Sequence, residues 1–145
     1  MMETALVFDR SGRTLYWHEP HGRNGGALPD SDDLYAVLWK HRSAEKGGTG
    51  QLAGVAHTHP WDGPTGASGT DLTTFRAVEL GLAQRLVWPI VTFTHVVLYV
   101  RPREYDFAKI ANTPAERAGE LYVPARAPVG WALEGLEELR ARSRN

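Results

Sequence analysis

The sequence predicts an α/β sandwich, a mixed β-sheet flanked by helices. Three observations predict it. Short β-type apolar runs recur along the chain, stretches of helical periodicity lie between them, and Gly/Pro/Asp turn signals separate the two kinds. With 145 residues, 42% hydrophobic and 23% charged, the chain has the material of one soluble domain able to build its own core. That domain is expected to span 1–145, with a core over about residues 3–101 and a C-terminal extension ending in a helix.

The elements follow in order. Ala5-Leu6-Val7-Phe8 and Thr14-Leu15-Tyr16-Trp17, on either side of Asp9-Arg10-Ser11-Gly12, read as a β-hairpin. Residues 21–29 hold Gly22, Gly25, Gly26 and Pro29 and read as a loop. The acidic run Asp30-Ser31-Asp32-Asp33 then opens a helix. Negative charge suits a helix N-terminus, and Leu34, Val37, Leu38 and His41 recur at helical spacing. Residues 51–57 alternate as a short strand, and residues 60–67 read as a flexible Gly/Pro loop. From 69 to 85 the pattern is helical, with Leu72, Phe75, Val78 and Leu82 on one side. Residues 86–91 and 95–100 read as two strands joined by a tight turn, with His95 in the sheet. Beyond Arg101 the prolines 102, 114, 124 and 128 break the pattern. Residues 131–142 read as a terminal amphipathic helix carrying Trp131, Leu133, Leu136 and Leu139.

Composition excludes several chemistries. There is no cysteine, which removes disulfides, thiolate nucleophiles, Cys-ligated zinc and iron–sulfur clusters. Paired cysteines are also what a zinc nucleobase deaminase needs. A formal charge of −1 gives no field to hold a nucleic-acid backbone or an anionic membrane. Arg140, Arg142 and Arg144 read as a solvated helix end, and His18 and His21 as exposed loop histidines. The longest apolar stretch, 86–100, is too short for a bilayer and is interrupted by Pro89 and His95. With no signal-peptide pattern at Met1-Met2-Glu3-Thr4, a cytoplasmic protein is expected.

The chemistry concentrates in His57-Thr58-His59-Pro60 and Ser68-Gly69-Thr70-Asp71. Residues two apart on a strand share a face, so both imidazoles can reach one ion while Thr58 points away. Pro60 ends the strand there, which leaves room for a substrate. Asp71, in the first turn of the next helix, can supply an oxygen ligand. Two His and one carboxylate leave a tetrahedral Zn²⁺ one open position. Ser68-x-x-Asp71 also reads as a helix-capping box.

This order of residues resembles the signature of the JAMM metalloproteases, the active MPN-domain (prokaryotic JAB-type) family, over roughly residues 3–100. The resemblance implies an MPN-like, cytidine-deaminase-like sandwich and a zinc-dependent hydrolase of peptide or isopeptide bonds. It assigns His57, His59 and Asp71 as metal ligands, Ser68 to the oxyanion and a glutamate as general base. Glu3, followed by the apolar run 4–8, matches the family's catalytic position; Glu19, running directly into Pro20, is the competitor. A protein or peptide substrate is implied, with the tails of ubiquitin-like or sulfur-carrier-like proteins among the candidates. The alternative is a catalytically inactive MPN-type scaffold that binds a protein partner. Because imidazole must be neutral to bind metal, affinity and activity are expected to fall together below about pH 6.

Overall fold

Strand β1 (Ala5–Asp9) turns at Gly12 into β2 (Thr14–His18), as the two β-type runs on either side of the turn signal predict. A computed structural model of the chain describes residues 1–102 and 107–144. Helix α1 (Asp32–His41) starts where Ser31 Oγ accepts from the Leu34 N–H (3.2 Å), with Asp32 and Asp33 in its first turn. Strand β3 (Leu52–Thr58), helix α2 (Gly69–Leu82) and strand β4 (Val87–Val91) make a crossover, so β3 and β4 run parallel. Strand β5 (Val96–Val100) returns antiparallel. Helix α3 (Phe107–Asn112), a short 3-10 turn at Ala115–Glu120, strand β6 (Val123–Ala125) and helix α4 (Leu136–Arg144) complete the order.

The sheet runs β2-β1-β3-β4-β5-β6, with β3/β4 its parallel pair, and helices cover both faces. The expected mixed sheet flanked by helices is therefore present. Alternation divides the core in two. Ala5, Val7 and Val55 face Leu38 of α1 and Phe75 and Leu82 of α2. Leu6, Phe8 and Ala56 face Leu133 and Leu139 at the C-terminal end of the chain. No helix among the described residues is long and apolar enough to cross a membrane.

Several expectations need correction. The terminal helix begins at Leu136, not 131, because the Glu134 N–H donates to Gly12 O (2.9 Å), which draws this segment onto the β1–β2 turn in a non-helical path. His95 lies in the turn before β5 and is exposed. Arg140, Arg142 and Arg144 are engaged with the rest of the fold: Arg140 Nε donates to Thr92 O (2.8 Å), and the guanidinium groups of Arg142 and Arg144 sit over Trp17 (4.1 Å) and Phe93 (4.4 Å). Helix α3, the 3-10 turn and β6 occupy the stretch that the prolines made unreadable.

Close packing of β3 against its neighbours rests on Gly54. A Cβ there would lie 2.0 Å from Val87 O and 2.7 Å from Phe8 Cζ. Gly54→Ala is expected to destabilise the fold by about 1–3 kcal/mol, read as a lower urea midpoint with unchanged slope.

Candidate metal centre

The register of β1 on β3 decides which side chains meet. Ala5 pairs with His57, and the Thr58 N–H donates to Thr4 O (3.0 Å), so one step further Glu3 stands opposite His59. Side chains alternate, so Glu3, His57 and His59 share the face that α2 covers. All three are buried, and their ligand atoms lie within 4.8 Å of one another, a cluster able to coordinate a metal ion. Thr58 points to the other face, where its hydroxyl accepts from the Thr4 N–H (2.9 Å) and from Ser143 Oγ of α4 (2.7 Å).

Helix α2 brings the fourth group. Ser68 is its N-cap, with Oγ accepting from the Asp71 N–H (3.0 Å) while the Ser68 N–H donates to Asp71 Oδ2 (2.9 Å). This capping box fixes the Asp71 carboxylate against both imidazoles: Oδ1 is 3.1 Å from His57 Nε2 and Oδ2 is 3.0 Å from His59 Nε2. Burial on its own raises the Asp71 pKa. The two imidazoles and the Ser68 N–H outweigh it and hold the carboxyl well below the usual carboxylate range. Glu3 goes the other way. Burial raises its pKa, and nearby His57 and His59 only partly offset this.

The donor set fits a divalent cation. Ligands at zinc-like bond lengths in a tetrahedron lie about 3.3 Å apart, close to the spacing between Asp71 and each Nε2. His57 Nε2 is buried and, though near Asp71 Oδ1, makes no hydrogen bond. On the far side of His59, Nδ1 is hydrogen-bonded to Thr65 Oγ1 (2.9 Å), which holds the ring in place. Each Nε2 thus faces a carboxylate oxygen, which can only accept. That arrangement calls for a proton or a cation between them.

The loop between motif and helix is tied down, contrary to the flexible loop expected. Phe93 N–H donates to Trp61 O (3.0 Å), Gly63 N–H to Thr94 Oγ1 (2.7 Å) and Ala67 N–H to Tyr99 Oη (3.1 Å). The Trp61 ring lies 4.9 Å from the His59 ring and is 45% exposed at the rim. Glu19 is outside the cluster, in ion pairs with Arg23 (3.0 Å) and Arg142. His18 corrects another expectation. It is buried, not exposed, and its Nε2–H donates to Pro29 O (2.6 Å), while His21 is exposed.

Sequence reasoning missed Glu79 of α2, fully buried and receiving four hydrogen bonds. Its signal was a carboxylate between Phe75 and Leu82 on the apolar face of the helix. No family model matches the chain, and no curated protein matches it.

Proposed function

We propose that the chain is a zinc-dependent hydrolase of peptide or isopeptide bonds, a JAMM-type metalloprotease on an MPN-like sandwich, with His57, His59 and Asp71 as the metal's holders. One observation carries this reading: a single carboxylate stands 3.1 and 3.0 Å from two buried imidazole Nε2 atoms. A second carboxylate, Glu3, reaches the same face from another strand. Two nitrogens and one oxygen are a catalytic rather than a structural zinc donor set. Zinc held there would supply Lewis-acid chemistry, polarising an amide carbonyl and easing deprotonation of water near neutral pH.

The chain's own groups divide the remaining work. Glu3 takes a proton from the attacking water and passes it to the departing amine nitrogen; the burial that raises its pKa suits it to hold the proton between those transfers. Ser68 keeps its Oγ lone pair in the helix cap and turns its hydroxyl hydrogen toward the amide oxygen as charge develops there. Trp61 covers one side of the site. The substrate is a protein or peptide bound extended, with the tail of a ubiquitin-like or sulfur-carrier-like protein as the leading class.

The test uses a quenched-fluorescent peptide library and isopeptide-linked ubiquitin dimers. Glu3→Gln is expected to keep its zinc and lose hydrolysis by about a hundredfold or more. A fully active Glu3→Gln ends the assignment of the base, and parent protein without zinc ends the metal assignment.

A further inference from the structure

Glu3 lies where the β-ladder has already ended. The Glu3 N–H does not bond to β3; it donates to Asn24 O (2.7 Å) in the loop that follows β2. His59 N–H, opposite, donates instead to Val91 O of β4 (2.9 Å). Residues before a first strand fray unless something ties them. Here Met1 is 70% and Met2 37% exposed, whereas Glu3 is 8% and Thr4 0% exposed. The Met2 N–H is tied to Ser143 O of α4 (2.9 Å), and burial begins at the residue the loop touches.

On the loop side, one guanidinium adds further ties. Arg23 Nη1 donates to Glu3 O (3.2 Å) and to Thr4 Oγ1, and Nη2 donates to Glu19 Oε2 (3.0 Å). Glu19 is held in turn by Arg142 of α4. The loop is itself braced, by the His18 bond to Pro29 O and by the Asn24 N–H bond to Ala27 O (2.9 Å). A planar fork can grip three acceptors at once in a way a lysine cannot. These contacts of Arg23 and Asn24 go to the backbone of Glu3 and leave its carboxylate to the imidazoles.

We propose that Arg23 is a positioning residue for Glu3, replacing the missing strand pairing so that the Glu3 carboxylate stays beside His57 and His59. Its consequence for rate rests on the hydrolase reading above; its consequence for order does not. A displacement of about 1 Å in a catalytic group costs on the order of a hundredfold in rate.

The test is Arg23→Ala in the full chain, in the parent and Glu3→Gln backgrounds. Three measurements are made: amide hydrogen exchange by mass spectrometry, zinc content, and steady-state kinetics (kcat and KM) on the quenched peptides or ubiquitin dimers. Exchange across residues 2–5 is expected to speed up by about tenfold or more, with β3 and β4 unchanged and zinc retained. In the parent background kcat is expected to fall by about tenfold or more with KM held, and in the Glu3→Gln background no further loss is expected. Unchanged exchange across residues 2–5 overturns the proposal, as does an equal loss of kcat in both backgrounds. Should Arg23→Ala not fold, Arg23→Gln is read in the same way. A parent protein that hydrolyses neither substrate removes the hydrolase reading by itself, and a fully active Glu3→Gln removes Glu3 as its base, while in either case the exchange result still decides whether Arg23 holds this segment.

Discussion

Alanine at His57 or at Asp71 is expected to take bound zinc from about one equivalent per chain to below about a tenth after dialysis against metal-free buffer. Elemental analysis of parent and variants reads this directly. The expectation follows from the shared carboxylate: each imidazole faces its own oxygen of Asp71, so either substitution takes away one of the three proposed holders. Thr65→Val tests the next layer out. It removes the hydroxyl hydrogen-bonded to the His59 ring, and a roughly tenfold to hundredfold loss of zinc affinity is expected. Acid has a separable effect. Asp71 is held below the usual carboxylate range, so it stays ionised well into acid and its contribution is lost only far down the pH scale. Equal zinc in parent, His57→Ala and Asp71→Ala would overturn the ligand assignment.

Much of the fold was legible because the period of a strand and the cap of a helix are local properties. The apolar and aromatic runs at 5–8 and 14–17 and the alternating run at 51–57 are bounded by turn residues, and the strands formed within a residue or so of them. Ser31 and Ser68 sit where a helix needs an acceptor for its first free N–H groups. What was not legible depended on distant partners. Residues 131–135 carry a helical apolar pattern, yet their backbone is drawn to Gly12, more than a hundred residues away in sequence. Residues 107–125 have no clear period because two prolines and short elements interrupt it; their order comes from packing against α2 and β5.

The candidate site divides the same way. Spacing alone put His57 and His59 on one face, and the capping box placed Asp71 at the start of a helix. The choice between Glu3 and Glu19 could not come from spacing. It turns on the antiparallel register of β1 with β3, which sets Glu3 opposite His59 and leaves Glu19 among arginines. His18 misled for a related reason: a histidine beside proline reads as loop surface, but Pro29 O reaches back to cover it.

Glu79→Ala is expected to cost about 3–5 kcal/mol, the largest loss of stability of any substitution considered, with a fall in melting temperature of about 10 °C or more. Glu79 has no exposed surface. Its Oε2 accepts from the Leu86 N–H (2.8 Å) and Trp88 Nε1–H (3.0 Å), and its Oε1 from Arg101 Nε (2.9 Å) and Tyr122 Oη (2.8 Å). One carboxylate thus ties α2 to the start of β4, to the residue after β5 and to the chain leading into β6. Burial, and then the charge of Glu79, push the Tyr122 hydroxyl pKa up, so that it remains a donor at any working pH. Truncation strands four donors in a site where water is excluded, one of them on a guanidinium, which is why the cost exceeds that of an ordinary hydrogen bond. Glu79→Gln discriminates charge from shape. It keeps the volume but turns an NH₂ toward two donors, so it is expected to recover only part of the loss. Chemical unfolding with an unchanged slope checks both variants. Melting of Glu79→Ala within about 1 kcal/mol of the parent would mean that the network fills space without anchoring α2. Because α2 also carries Asp71, a helix loosened at Glu79 should weaken zinc binding with His57 and His59 untouched, and that coupling links the stability of the core to the occupancy of the site.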